Sequence, residues 1–335
     1  MASPNASFPG VNASSVICSY NMSSWKEAMN QLYAYFYLLI FIPGLLGNSI
    51  ALWVLCRFIR KKTKAIIFMI NLAVADLLHV LSLPLRIYYY FNHTWPFGHF
   101  MCMFCFYLKY LNMYASIVFL VCISIQRCAF LARPFCAKKW KRRYDVRISA
   151  ALWLMVGLCC SPFILMRKNQ SRDSSSCFKD LPTKKLSLNL YVPMIAAGEL
   201  LGFVLPIIII SFCSYYITRL LHHACPAQQA TSDKRKALRM VLVCTGVFLF
   251  CFAPYHINFL LYQLVSQDVI THCPLRLVVQ HFHPISLCMA SLSCCLNPLI
   301  YYFLTTEFRE QLSRHGSSML RGRLMSMEST SSYRE

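Results

Sequence analysis

The chain has 335 residues, of which 57% are hydrophobic and 13% are charged, and its formal net charge is +21. A soluble domain of this size rarely has a positive mean hydropathy, so the composition indicates a membrane protein. The basic runs are short loops beside apolar segments, which excludes nucleic-acid binding as the reason for the charge. Contact between loops and anionic lipid explains most of it.

Seven apolar runs are each long enough to cross about 30 Å of hydrocarbon as a helix. Several exceed what an upright span needs, so tilt or extension beyond the bilayer is expected. No cleavable signal peptide is expected, because residues 1–31 are polar and lack an apolar core with a basic flank. The predicted fold class is an all-α membrane protein with a seven-transmembrane helix bundle. The runs cover residues 33–56, 65–91, 100–131, 148–166, 188–221, 237–265 and 277–304.

Two signals predict the orientation of the spans. Segments 57–64, 133–147, 219–239 and the tail from residue 309 carry 22 of the 33 Lys and Arg residues, which the positive-inside rule assigns to the cytoplasm. All N-x-S/T glycosylation acceptors fall on the opposite side. The N-terminus is therefore expected outside the cell. The acceptors are Asn5, Asn12, Asn21, Asn92 and Asn169.

The predicted outer loop 167–185 departs from this charge pattern. It has six Lys and Arg residues against two Asp residues, an excess of positive charge on the outer face. That excess favours an anionic ligand arriving from outside or from the outer leaflet.

Most of the 18 cysteines lie within the spans, where small residues pack at helix contacts. Four are expected on the oxidising side, at or beyond the span ends. Four cysteines allow three pairings, and the spacing alone does not choose between them. These four are Cys18, Cys102, Cys177 and Cys273.

Asp76 lies in the middle of the second apolar run, where a carboxylate is unfavourable unless it is hydrated, paired or bound to an ion. Asn112 and Ser116 are four residues apart and share one helix face. Together with Asn48 and Asn297 they can form a hydrated core around Asp76. The residues alone leave two interpretations open, a structural polar cluster and an ion site.

The stretch SLPLRIYYY, residues 82–90, carries Arg86 close to the outer end of the second run, roughly 7 to 8 Å deep at about 1.5 Å per residue. An arginine there can snorkel outward, pair with an acid or face a cavity. Tyr90 shares its face, and Lys109 and Arg167 are expected nearby. Glu199 is the one carboxylate predicted near that depth. Converging cations with one distant acid favour a site for phosphate or carboxylate.

Ordered marks within the spans resemble those of class A, rhodopsin-like G-protein-coupled receptors, from about residue 33 to residue 315. The resemblance implies a sodium ion as an allosteric ligand of the Asp76 group, with no other cofactor. It also implies levers at the proline-kinked sixth and seventh helices. The marks are Gly47 and Asn48, Asp76 in LAVAD, Trp153, Pro206, Pro254 in FCFAP, and Asn297 and Pro298 in NPLIY.

Arg127 in SIQRC stands where most family members read D/E-R-Y. The resemblance implies that Arg127 packs against the C-terminal helix of a heterotrimeric G protein. The residue pattern alone leaves snorkelling to lipid headgroups as the alternative. Gln126 cannot form the ion pair that usually restrains the arginine, and Cys128 replaces the tyrosine. Phe252 and Ser214 also depart from the usual tryptophan and tyrosine.

Arg86, Lys109, Tyr110 and the stretch PYHINF, residues 254–259, resemble the purinoceptor-like branch, whose members bind nucleotides or lysophospholipids. Nucleotide receptors of that branch usually have a basic residue where this chain has Phe259. The expected ligand is therefore lysophosphatidylserine or a related lysolipid, with Glu199 either meeting its ammonium group or buried in packing. The expected ligand-binding residues are Arg86, Tyr90, Lys109, Tyr110, Tyr114, Arg167, Glu199, His256 and Phe259.

The same branch pairs Cys102 with Cys177 and Cys18 with Cys273. The expected organisation is a glycosylated extracellular segment 1–31, a receptor domain 32–304, an amphipathic eighth helix 305–315 and a disordered cytoplasmic tail 316–335. The serine-rich tail is an expected target of receptor kinases and arrestin. Relatives suggest a G protein of the G12/13 class, by analogy. The expected location is the plasma membrane.

Other functional classes have weaker support in the sequence. No nucleophile, base and orienting group converge, so an enzyme is not expected. A transporter usually shows inverted repeats with broken helices in matching positions, and the sequence shows none. A non-signalling lysolipid scavenger remains open because of the unusual IQRC motif.

Overall fold

A computed structural model describes residues 23–57, 65–133, 135, 139–162, 177–178, 188–222, 228–267, 269–304 and 313. All long elements in these ranges are helices, which confirms the predicted all-α fold class. They are α1 (Ser23–Arg57), α2 (Ala65–Asn92), α3 (Gly98–Ala132), α4 (Arg142–Cys160) and α7 (Cys273–Leu304). The fifth, α5, joins Leu188–Glu199, a π-helical turn Leu200–Val204 and Leu205–His222. The sixth, α6, joins Gln228–Val247, a π-helical turn Phe248–Phe252 and Ala253–Ser266.

Among the described helices, six are long and apolar enough to cross a bilayer, namely all except α4. The described part of α4 starts six residues before the predicted fourth span. Its first six residues include Arg142, Arg143, Asp145 and Arg147, which shorten its apolar stretch. Residues 163–166 of the predicted span lie outside the described residues.

Two other helices also begin before their predicted spans. α1 begins at Ser23 instead of residue 33, and α6 begins at Gln228 instead of residue 237. Hydropathy marks only the part of a helix that lies in hydrocarbon. Polar turns that continue beyond the bilayer are solvated, so the sequence pattern gives no signal for them.

The π-helical turns precede prolines in α5 and α6. Pro206 and Pro254 have no backbone N–H to donate. The residue before each proline bonds five residues back: Leu205 N–H donates to Leu200 O, and Ala253 N–H donates to Phe248 O. The sequence predicted a kink at Pro254 but not that an extra residue would be accommodated in the turn before it.

α3 is the central helix and contacts α2, α4, α5, α6 and α7. Trp153 on α4 is fixed against α2, since its Nε1–H donates to Asn71 Oδ1 at 2.8 Å. Asn71 in turn donates to Ser149 Oγ at 3.2 Å. These polar contacts hold α4 beside α2, where hydrocarbon would leave the same groups without partners.

We refer to the end of the bundle where α3 begins as the Cys102 end and to the opposite end as the Arg127 end. At the Cys102 end, a disulfide joins Cys102 to Cys177, the pair that the family resemblance implies. It holds Phe178 against several aromatic rings, with centroid distances of 5.0 to 5.8 Å. These rings belong to Tyr89, Tyr90, Trp95 and Phe106.

The α3–α5 contact depends on Gly202. A Cβ added there would stand 2.7 Å from Tyr114 Cε1 and 3.1 Å from His256 Cε1. We expect Gly202→Ala to lower the apparent melting temperature of the purified protein, because overpacking typically destabilises by about 1–3 kcal/mol. Gly198→Ala is the control, since nothing lies within 4 Å of its added Cβ. Equal melting temperatures for the two variants would contradict the close approach.

Candidate functional site

A buried polar cluster surrounds Asp76 in the middle of the bundle. Asn112 Nδ2 donates to Asp76 Oδ1 at 2.9 Å, and Asn297 Nδ2 donates to Asp76 Oδ2 at 2.9 Å. Ser116 Oγ is 3.5 Å from Asp76 Oδ1. All four side chains are buried. The carboxylate therefore has donors on both oxygens, from α3 and from α7.

Asn48 was predicted to share this cluster, and the structure places it differently. Its Nδ2 donates to Gly44 O at 2.9 Å and to Cys294 O at 2.7 Å, so it joins α1 to α7 instead of contacting Asp76. The rotation of α1 directs the amide toward the α7 backbone, which the sequence does not reveal. The Asn48 and Asn297 Oδ1 atoms are buried without a hydrogen-bond partner among the described residues.

Arg86 is 1% exposed, which excludes the snorkelling interpretation. Its guanidinium donates from Nη2 to Cys105 O and lies over the Phe178 ring, 4.6 Å from the centroid. The Phe106 ring is 5.8 Å away. Arg86 Nε has no hydrogen-bond partner among the described residues. The structure thus holds a buried cation under an aromatic cover, with one N–H left for another acceptor.

Lys109 lies near the same corner, on α3. Its Nζ is 3.5 Å from Tyr37 Oη and 5.8 Å from the Tyr33 ring centroid. Tyr33 stacks on Tyr90 at 4.9 Å, and Tyr90 stacks on Phe178 at 5.8 Å. The predicted residues Arg86, Tyr90 and Lys109 are therefore brought together, by an aromatic group that includes two α1 tyrosines that the sequence analysis did not single out.

A narrow cavity of about 230 Å³ extends from this corner toward the Asp76 cluster. Lys109 and Tyr110 line one end and Asn112, which donates to Asp76, lines the other. Leu287 and Ser291 of α7 form the facing wall. The cationic corner and the polar cluster thus share a cavity between α3 and α7.

Glu199 and His256 form a second polar group, between α5 and α6. His256 Nδ1 is 3.2 Å from both Glu199 oxygens, and the histidine side chain is fully buried. Tyr114 lies 5.9 Å from the His256 ring, and Phe259 stacks on Tyr255 at 5.5 Å. The predicted residues Tyr114, Glu199 and His256 are therefore adjacent. The sequence analysis did not predict the ion pair itself, because it depends on how α5 packs against α6.

At the Arg127 end, Arg127 contacts α6. Its Nε–H donates to Met240 Sδ at 2.8 Å, a thioether in place of the usual carboxylate partner. Gln126 donates from Nε2 to Asp145 Oδ1 of α4 at 3.2 Å. Ser214, where the family usually has tyrosine, lies 3.3 Å from Thr245 and links α5 to α6.

Met240 and Asp145 were not predicted as contacts of the SIQRC motif. They lie 113 and 19 residues away from their partners in the chain, and no local pattern relates them. The same is true of Asn258 Nδ2, which lies 3.2 Å from His283 Nδ1 across α6 and α7.

Several predicted features lie outside the described residues. They are Arg167, Cys18, the acceptors Asn5, Asn12, Asn21 and Asn169, and, apart from Ser313, the helix 305–315 and the tail 316–335. Asn92 is described, and its side chain is exposed at the end of α2. Cys273 is disulfide-bonded. Within the described residues, no group of three or more His, Cys, Asp and Glu side chains is placed to hold a metal ion.

Comparison with known proteins identifies the class. The family model described as "7 transmembrane receptor (rhodopsin family)" matches residues 47–301. The chain therefore belongs to the rhodopsin family of seven-transmembrane receptors, which are G-protein-coupled receptors and not enzymes. It is a multi-pass membrane protein with a heterotrimeric G protein as its partner.

Three relatives place the chain within the family. It is 57% identical to the human protein named as purinoceptor 10, over 96% of this chain and 95% of the relative. It is 52% identical to human "Probable G-protein coupled receptor 174" over 84% and 86% of the two chains. It is 33% identical to human "Lysophosphatidic acid receptor 6" over 93% and 90%. The chain is thus a signalling receptor of the branch that holds the purinoceptor-like and lysophospholipid receptors.

Proposed function

We propose that this receptor lies in the plasma membrane with its N-terminus outside the cell and responds to an anionic lysophospholipid, such as lysophosphatidylserine. The observation that carries the proposal is the buried Arg86 beside Lys109 at the Cys102 end. A guanidinium held in a low-dielectric site with an N–H to spare favours a phosphate that offers two oxygens.

The distribution of charge around the pocket supports a lysolipid over a nucleotide. A nucleotide has several phosphate charges and a polar ribose, and it needs cations on more than one side. Here the described cations Arg86 and Lys109 lie on α2 and α3, whereas Phe259 and Leu287 on α6 and α7 are apolar. A single phosphate with an apolar tail matches that asymmetry.

A nucleotide receptor is the second candidate, and the cationic corner is the feature that favours it. The names of the relatives point to both classes, since one is called a purinoceptor and another a lysophosphatidic acid receptor. The apolar lining on α6 and α7 decides for the lysolipid. A transporter or a non-signalling scavenger has no comparable support, because the chain belongs to a signalling family.

The Glu199–His256 pair gives the ligand a second anchor. The carboxylate of Glu199 is 14% exposed, so an ammonium group can approach it from the pocket. A ligand with both phosphate and ammonium would then join α2 and α3 to α5 and α6. Such a bridge changes the position of α6 relative to α3.

The signal would reach the Arg127 end through α6. Pro254 and the π-helical turn before it make a flexible point in this helix. Movement of α6 would separate Met240 from Arg127 and free the guanidinium for the G protein. The G12/13 class, and receptor kinases and arrestin acting at the tail 316–335, are the partners we propose by analogy with relatives.

The first prediction tests Arg86. Arg86→Met keeps the length of the side chain and removes its charge, so we expect agonist potency to fall at least about 100-fold, since each hydrogen bond to a charged group contributes about 1.5–3 kcal/mol. Surface expression should be unchanged or higher, because replacing a buried charge by an apolar group of similar volume is often neutral or stabilising.

The measurement is agonist-stimulated GTP exchange beside surface labelling of intact cells. Lys26→Met is the control, because Lys26 is an exposed cation at the same end of the bundle. An unchanged potency in Arg86→Met, with normal expression, would return Arg86 to a purely structural role.

The second prediction concerns the acyl chain. Each buried methylene contributes about 0.8 kcal/mol, so shortening the chain by four carbons should weaken binding by about 3 kcal/mol, on the order of a hundredfold. A chain-length series of lysophosphatidylserines is measured beside ATP, ADP and UDP-glucose in one GTP-exchange assay. Saturable nucleotide responses, or potency that is independent of chain length, would contradict the ligand class.

The third prediction concerns sodium. We propose that the Asp76 cluster binds a sodium ion that stabilises the resting receptor, because buried oxygen ligands with a full negative charge suit such an ion. Asp76→Asn should abolish the dependence of agonist affinity on sodium. Asp145→Asn, which changes a buried carboxylate at the Arg127 end, should retain it. Wild-type affinity that ignores sodium would favour the purely structural cluster.

A further inference from the structure

The start of α4 and the segment before it carry an unusual concentration of positive charge. Five exposed Lys and Arg side chains lie within residues 139–147. The one acid in this stretch, Asp145, is 1% exposed. The exposed cations are Lys139, Lys141, Arg142, Arg143 and Arg147.

Asp145 is directed into the bundle and cannot neutralise this surface. Its Oδ1 accepts from Trp140 Nε1 at 2.8 Å and from Gln126 Nε2 at 3.2 Å. Ser149, one turn further along α4, is also buried on that side. Among the described residues, neither Arg143 nor Arg147 has a salt bridge. The outward surface of this segment is therefore uniformly positive.

The cations continue the lipid-facing side of α4. Residues 143, 147, 151, 154 and 158 are spaced three or four apart and so share one helix face. Leu154 and Leu158 on that face are 69% and 72% exposed, as expected for contact with hydrocarbon. From Arg147 to Leu158 the helix rises about 16 Å at about 1.5 Å per residue. That is close to half of a hydrocarbon core of about 30 Å.

Two aromatic side chains mark the level of the headgroups. Trp140 is 45% exposed, and its ring lies 5.3 Å from that of Tyr144. The Arg143 guanidinium lies 5.7 Å from the Tyr144 centroid. Half-exposed tryptophan and tyrosine beside arginine are typical of a membrane interface.

From this arrangement we infer that α4 holds one anionic phospholipid of the bilayer, with its phosphate groups at Arg143 and Arg147 and an acyl chain along Leu154 and Leu158. The leaflet is the one at the Arg127 end, which is cytoplasmic on the orientation proposed above and is the leaflet where anionic lipids concentrate. The arginine pair faces away from the bundle axis, so a G protein docked at Arg127 leaves it accessible to lipid.

The test is native mass spectrometry of the full-length receptor from mixed micelles that contain phosphatidylcholine and phosphatidylinositol 4,5-bisphosphate. The wild type should retain the anionic lipid. Arg143→Ala with Arg147→Ala should weaken retention at least tenfold, in line with about 1 kcal/mol for each lost cation. Arg235→Ala with Lys236→Ala removes the same charge from an exposed site on α6 and should retain the lipid.

Equal loss in the two double variants would show that the charge acts without a defined site, and equal retention would show that α4 holds no lipid. Soluble inositol phosphate at the lipid's concentration should compete poorly, because it lacks the chain; full competition would overturn the acyl-chain part of the site. If the alanine pair fails to fold, Arg143→Gln with Arg147→Gln replaces it. The assay contains neither agonist nor G protein, so its outcome is independent of the proposed ligand.

Discussion

Hydrocarbon offers no hydrogen-bond partner, and this constraint determines where each polar group of the bundle lies. Asp76 accepts hydrogen bonds from Asn112 and Asn297, and the three side chains fix the positions of α2, α3 and α7 relative to one another. Arg86 obeys the same constraint by donating to a backbone carbonyl of α3 under the Phe178 ring. The groups that hold the bundle together are thus the same groups that face the candidate pocket.

The sequence predicted what hydropathy and charge can encode. It predicted the helical class, most helix ends within hydrocarbon, and the meeting of Arg86 with Lys109. It missed what depends on helix rotation and on contacts between distant segments: the direction of the Asn48 amide, the Met240 contact and the burial of Asp145. A periodic pattern shows which face of a helix is apolar but not which neighbour that face contacts.

The pocket has two poles of opposite charge separated by tyrosines. Arg86 on α2 forms the positive pole, and Glu199 on α5 forms the negative pole in its pair with His256. Tyr110 and Tyr114 of α3 lie between the elements that carry them. On the function proposed above, a ligand with both charges would contact the rigid α2–α3 side and the proline-containing α5–α6 side simultaneously, which is how binding energy is converted into helix movement.

The π-helical turn Phe248–Phe252 has a consequence for how α6 is represented. Because Ala253 bonds to Phe248 across five residues, the turn accommodates one extra residue, and the two halves of the helix are rotated by about 100° relative to a regular α-helix. A helical wheel drawn through all of α6 from the frame of Met240 would therefore assign Phe259 to the wrong side. Each half of α6 requires its own wheel when lipid-facing and pocket-facing positions are chosen for labelling or cross-linking.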